Sequence, residues 1–141
     1  DGPAMARTRD RLEGDFSLRF EVRVVEDSDG DPQPLVAINF DQKEDFDHWC
    51  FKIWAAGFEV ADQVGSEERE TLFYSPLTDH VGFDRYEWHR FRLTARGGWL
   101  TCYLDGKEIG STLVPEGELD GQAAIWCQGC VAEVRKVVLT K

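Results

Sequence analysis

Apolar and polar residues alternate along much of this chain, most strictly from Phe16 onward. Phe16, Leu18, Phe20, Val22 and Val24 take one parity, and Ser17, Arg19, Glu21 and Arg23 take the other. A period of two sends successive side chains to opposite faces of a strand, so the segment predicts a half-buried β-strand. "DSDGDPQP" (27–34) then supplies Asp, Gly and Pro breakers. "LVAINF" (35–40) and "HWCFKIW" (48–54) predict two further strands flanking an acidic loop. A short strand is expected near Thr71, and only short turns in "VADQVGSEERE" (60–70).

"WHRFRLTARGGWLTCYLDGKEIG" (88–110) predicts a meander. Gly97-Gly98 can take positive φ at both central positions of a two-residue turn. Pairing outward from it sets Arg96 opposite Trp99, Leu93 opposite Cys102, Arg92 opposite Tyr103 and Arg90 opposite Asp105. Phe91, Leu93, Ala95, Leu100, Cys102 and Leu104 then share an apolar face, and Trp99 and Tyr103 point the other way. The register predicts a cation–π pair, Arg92 with Tyr103, and a charge pair, Arg90 with Asp105. Asp105-Gly106 makes the second reversal. Trp88, at the head of its strand, reads as structural.

Near the end, Gln128-Gly129 reads as the turn of a last hairpin that pairs Ile125 with Ala132 and Ala123 with Val134 on the core face, leaving Trp126 outward. The alternation slips at Arg135-Lys136, which predicts a bulge, with Val137 and Leu139 inward after it. No segment carries a helical period. Many short strands at regular turn spacing predict an all-β, two-sheet antiparallel sandwich. Residues 1–14 are polar and charged and are expected to be a leader or linker, partly a cloning remnant, before a single domain over 15–141.

Length changes this picture little: 141 residues suit one domain with a full core. Charge changes it more. Sixteen basic residues against 27 acidic give a net charge of −11, which argues against nucleic acid or an anionic membrane as main partner. No apolar run is long enough to insert in a membrane, and no signal-peptide pattern opens the chain. Cys50, Cys102, Cys127 and Cys130 could form two disulfides or stay as small buried hydrophobes. Cys127-Gln128-Gly129-Cys130 has no second pair and no nearby histidine, so the structural reading outweighs a zinc site.

Three stretches carry a family resemblance: "GDFSLRFEVRV", "EWHRFRLTARGGWLTCYLDGKEIG" and "GQAAIWCQGCVAEVRKVVL". In order, they resemble the first strand after Gly-Asp-Phe, the Trp-led strand ending in a turn and an Asp/Asn-Gly hairpin, and the closing hairpin of concanavalin A-like jelly rolls. Laminin G-like modules, carbohydrate-binding modules and the 3-keto-disaccharide hydrolase-like family share that fold. The resemblance spans most of 14–141 and implies a two-sheet antiparallel jelly-roll sandwich. The hydrolase-like members carry an Asn-Ser-Gly stretch with an arginine, a Glu-x-Gln and a late histidine. Here "LVAINFD", "CFKIW" and "WCQGC" stand in those places, with Asp41 near the arginine position. The Glu-x-Asp-x-x-Glu motif of retaining glucanases on this fold does not occur. The departures favour binding over catalysis, so no catalytic residue is assigned.

Sugars are held by an aromatic face and a few fixed polar groups. Asn39, Asp41, Lys52, Trp54, Trp126 and Gln128 point outward from the strands that the resemblance assigns to the ligand-binding sheet. They form the expected site for a polysaccharide or oligosaccharide, in a lectin-like module of a larger multidomain protein at an extracellular or cell-surface address. The alternatives are a hydrolase or lyase of the 3-keto-disaccharide type and a laminin G-like protein-interaction module; for Trp54 and Trp126, plain packing under a loop competes with ligand stacking. Asp27-Ser28-Asp29-Gly30-Asp31 is not an EF-hand, because its sixth and twelfth positions are Pro32 and Ile38. Ca²⁺ remains an option for that loop or for 41–47, with a solvated acidic turn as the simpler reading; no metal ligand is assigned and no cofactor is expected.

Overall fold

A computed structural model describes residues 4–7, 12–27, 35–40, 47–54, 56–64 and 67–141, with backbone alone at 4–7, 27, 35, 47, 64 and 67–69. Its strands are β1 (Ala4–Arg7), β2 (Phe16–Asp27), β3 (Leu35–Phe40), β4 (Asp47–Trp54), β5 (Gly57–Val64) and β6 (Glu67–Pro76). They continue with β7 (His89–Arg96), β8 (Trp99–Leu104), β9 (Lys107–Leu113), β10 (Ala123–Gln128) and β11 (Cys130–Thr140). Two antiparallel sheets result, one of six strands in the order β1-β10-β3-β4-β5-β6 and one of five in the order β11-β2-β7-β8-β9.

The apolar parity of each strand faces the space between the sheets. Phe16, Leu18, Phe20, Phe91, Leu93 and Leu100 enter it from the five-stranded sheet, and Val36, Ile38, Phe40, Phe51, Phe58 and Val60 from the six-stranded one. Phe91 links the layers: its ring centroid lies 5.7 Å from Phe20, 6.0 Å from Phe51 and 5.9 Å from Phe58. Burying such a side chain stabilises by about 1.5–3 kcal/mol, so this cluster fixes the sheets face to face. At one edge Gly110 of β9 meets Phe73 of β6, where an added Cβ would come within 2.5 Å of the ring.

The meander follows its expected register from Arg96–Trp99 to Phe91–Leu104. Gly97 (φ 55°) and Gly98 (φ 81°) take the positive angles that the turn demands. The Arg92 guanidinium carbon sits 4.2 Å from the Tyr103 ring centroid, as expected. The bulge near Arg135-Lys136 is present, with Lys136 at φ 54°.

Within the segment expected to be a leader or linker, Ala4–Arg7 form β1 at the edge of the six-stranded sheet, and Leu12 is buried while exchanging backbone bonds with Gly121. Other expectations are corrected. Of the stretch expected as turns, 60–64 and 67–70 belong instead to the β5–β6 pair; two register shifts and a run of acidic residues hide its alternation. β10 and β11 are not a hairpin. β10 pairs with β1 and β3, β11 pairs with β2, and the Gln128-Gly129 turn carries the chain from one sheet to the other. Inward residues face the same core in either arrangement, which is why parity alone could not separate them.

Asp105, at φ 50°, turns its carboxylate back to accept from the Arg90 backbone N–H (2.9 Å) and meets His89 Nδ1 (2.7 Å), so no Arg90–Asp105 charge pair forms. Arg90 leans instead toward Glu21, at 4.0 Å. Past the bulge Leu139 packs on the core but Val137 is exposed. Trp88 is only half-buried, and the guanidiniums of Arg135 (3.8 Å) and Arg23 (4.9 Å) lie over its ring. None of the four cysteines forms a disulfide, and Cys127 Sγ donates to the Cys130 carbonyl at 3.6 Å.

Candidate functional site

Alternation that sends Val36, Ile38 and Phe40 inward sends Ala37 and Asn39 to the outer face of the six-stranded sheet. The same parity puts Cys50, Lys52 and Trp54 of β4 outward, with Glu59, Ala61 and Gln63 of β5 and Trp126 and Gln128 of β10. Register then fixes neighbours. One row across the strands reads Trp126, Ala37, Lys52, Glu59, Tyr74. The next reads Ala124, Asn39, Cys50, Ala61, Thr71. Trp54 lies in the row on the other side of Lys52, where Leu35 separates it from the exposed Gln128. Five of the six expected site residues therefore share one face. Asp41 lies outside the described residues, as do both loops considered for calcium.

This is not an ordinary solvated sheet surface. Glu59 is 6% exposed and Gln63 4%, while Ala37, Cys50 and Ala61 are fully buried. Lys52 Nζ lies 3.5 Å from Glu59 Oε1, a nearly buried ion pair in register. The Trp54 ring lies 6.4 Å from that of Tyr74, whose hydroxyl donates to the Ala56 carbonyl at 2.9 Å.

Among the described residues, four buried polar atoms of this face have no hydrogen-bond partner: Asn39 Oδ1, Gln63 Oε1 and the indole nitrogens of Trp54 and Trp126. Two are donors and two are acceptors. A buried polar group left unpaired costs about 1–3 kcal/mol, and native structures leave few of them.

Glu59, Gln63 and Tyr74 were not anticipated from the sequence. The signal was the polar parity of "GFEVADQV" (57–64), where Glu59, Ala61 and Gln63 alternate with the core residues Phe58 and Val60. His48, buried and in register with Gln63, shares the outward parity of β4 and so belongs to this face, whereas the other two histidines lie elsewhere. His89 Nε2 meets the Asp84 carbonyl at 2.8 Å, and its ring packs 4.4 Å from Phe83. His80 Nε2 lies 2.7 Å from Ser75 Oγ, and burial, helped by the nearby Lys107 charge, lowers its pKa. Among the described residues no three His, Cys, Asp or Glu side chains group as metal ligands. No helix among them is long and apolar enough to cross a membrane.

The chain is similar in structure to CBM66, a carbohydrate-binding module from Bacillus subtilis, at TM-score 0.75 and 14% identity over all of this chain and 83% of that one. Sheep galectin-11 matches at TM-score 0.69 and 8% identity, covering 99% of this chain and 98% of its own. The Bacillus licheniformis beta-glucanase matches at TM-score 0.63 and 8% identity, covering 90% of this chain and 58% of its own. The fold is a concanavalin A-like jelly roll. No protein-family model and no curated protein matches the sequence. At these identities the likeness of one jelly roll to another establishes architecture alone.

Proposed function

We propose that this jelly roll is a non-catalytic carbohydrate-binding module that holds a neutral saccharide on the outer face of its six-stranded sheet. The observation that carries the reading is the set of four orphaned polar atoms on that face. A sugar hydroxyl donates and accepts at once. Hydroxyls can therefore accept from the indole N–H groups of Trp54 and Trp126 and donate to Asn39 Oδ1 and Gln63 Oε1. Lys52 and Glu59 supply a fixed donor and acceptor between the indoles, the Trp54–Tyr74 pair offers ring surface, and Gln128 stands at the rim. Structural similarity to a carbohydrate-binding module and to galectins supports the reading. An extracellular or cell-surface address within a larger multidomain protein fits such a module.

A glycan array of the purified chain, run with calcium and with a chelator, tests this. A specific glycan is expected to bind and to be lost in Trp54→Ala and Asn39→Ala, with no cleaved product after incubation. Absence of any glycan signal, or binding unchanged in both variants, overturns the assignment.

A further inference from the structure

The opposite surface, the outer face of the five-stranded sheet, has a different chemistry. Arg19, Arg23, Arg90, Arg92, Arg96 and Arg135 project from it, with Lys136 at the bulge, although the chain carries a net charge of −11. Glu133 neutralises Arg23 (2.6 Å), and Glu21 is shared by Arg135 (2.7 Å), Lys136 (3.7 Å) and Arg90 (4.0 Å). Among the described residues no carboxylate pairs with Arg19, Arg92 or Arg96. Arg19 and Arg92 are nevertheless cross-strand partners in register, both exposed. Like charges set directly opposite each other destabilise a sheet, and only the Tyr103 ring beside Arg92 offsets this pair.

Beside the arginine pair runs a row of hydroxyls. Thr140, Ser17, Thr94, Thr101 and Ser111 are successive register partners from β11 to β9, across the whole width of the sheet. At about 4.8 Å between strands the row is roughly 19 Å long. On its far side lie Arg96 and its partner Trp99, which is 47% exposed.

We infer that this face is a second binding surface, for an anionic polysaccharide whose carboxylate or sulfate groups are held by Arg19 and Arg92 while its hydroxyls lie along the Ser/Thr row. A guanidinium fork grips either anion in bidentate fashion. The row beside the arginine pair is polar and hydroxylated, and the aromatic rings near it, Tyr103 and Trp88, are capped by guanidiniums. Glu133 and Glu21 are neutralised by their own ion pairs and Glu108 lies beyond Tyr103 from Arg92, so Arg19 and Arg92 govern contact, with more distant acids screened beyond about 8–10 Å at ordinary salt. This inference does not rest on the neutral-saccharide reading, since the two faces lie on opposite sides of the sandwich.

Binding of the full chain to polygalacturonate, dextran sulfate and neutral dextran, at low and physiological salt, tests it. At least one anionic polymer is expected to bind, more weakly as salt rises, and dextran is not expected to bind here. Arg19→Ala/Arg92→Ala is expected to lose about tenfold or more in affinity. Arg92→Lys, which keeps charge but not the fork, is expected to fall between it and the parent, and Trp126→Ala on the other sheet to bind as the parent. Whichever anionic polymer binds names the charged group. If neither does, or if the double arginine variant binds as the parent, the inference fails. A dimer in sedimentation velocity that depends on Arg19 and Arg92 also overturns it, assigning the face to a second copy. Because the double variant removes a like-charge pair, its melting temperature is expected to equal or exceed the parent's; should it not fold, Arg92→Lys alone decides.

Discussion

Lys52 and Glu59 face each other across β4 and β5 at 3.5 Å, with side chains 14% and 8% exposed. Replacing Lys52 by Met leaves the Glu59 carboxylate buried without this cation, and Glu59→Met removes this anion from the Lys52 ammonium. Breaking a buried pair from one side costs about 3–5 kcal/mol, whereas replacing both partners by well-packed apolar residues is often neutral. The slight exposure and the 3.5 Å separation argue for the lower end here. Each single variant is therefore expected to lose about 2–3 kcal/mol, and Lys52→Met/Glu59→Met to lie within about 1 kcal/mol of the parent. Urea unfolding of all four proteins gives the cycle. With a slope of about 2 kcal/mol/M, each single variant lowers the midpoint by about 1–1.5 M and the double variant by no more than about 0.5 M.

A coupling energy of at least about 3 kcal/mol is expected, since the two residues touch. Single effects that simply add, to within about 0.5 kcal/mol, would refute the reasoning, because an isolated surface pair gives that result. The same four proteins separate stability from function. The double variant regains the fold but lacks both charged groups between the indoles, so it is expected to stay weak on any glycan that the parent binds. Restored binding would remove Lys52 and Glu59 from the proposed site while leaving the energetic argument intact.

Three other outcomes are expected. Gly110→Ala drives its Cβ into the Phe73 ring and should lower stability by about 1–3 kcal/mol in urea unfolding, with partial recovery in Gly110→Ala/Phe73→Leu; an unchanged midpoint would mean that this edge is not closed. The hydrogen bond from Arg135, with the Lys136, Arg135 and Arg90 charges, holds the Glu21 carboxyl below its ordinary 4.5 despite its desolvation. Its contribution is present above that value and disappears as pH falls through the lowered folded-state pKa, so acid titrations of Glu21→Gln should show a flatter loss of stability than the parent between about pH 5 and 2. Burial pushes the Cys102 thiol far above its ordinary 9.0, and Cys50 is equally buried, so iodoacetamide followed by mass spectrometry should mark the half-buried Cys127 and Cys130 first and the other two only after unfolding.

The strands written plainly in the sequence are those with one wet face and no bulge. β2, β3, β7 and β8 announce themselves through alternation, and the Gly97-Gly98 turn fixes the register of its hairpin to the residue. β5 and the first half of β6 do not, because two register shifts break the period and the outward positions carry acids that read as loop; the strand expected near Thr71 is the second half of β6. β1 is shorter still, and as an edge strand it is recognisable only through its partner β10. The failed closing hairpin is instructive for another reason. Alternation reports which side chains face the core but not from which sheet they do so, and a tight turn can either fold a strand back on itself or pass it to the opposite layer.

That limit explains why the candidate site was half legible. Parity alone marks Asn39, Lys52, Trp54 and Trp126 as outward, but the sequence gives them no common surface. Only the placement of β10 beside β3, far away along the chain, sets Trp126 one strand from Ala37 and two from Lys52. Had β10 paired with β11, as the turn suggested, Trp126 would have stood on the other sheet among the arginines. The two faces of this sandwich differ in kind: one presents orphaned neutral donors and acceptors around the Lys52–Glu59 pair, the other guanidiniums, three of them without a carboxylate partner among the described residues, beside a hydroxyl row. Variants confined to one face should therefore leave the other face's ligand untouched, because the described core between them is one continuous apolar cluster that such variants do not alter.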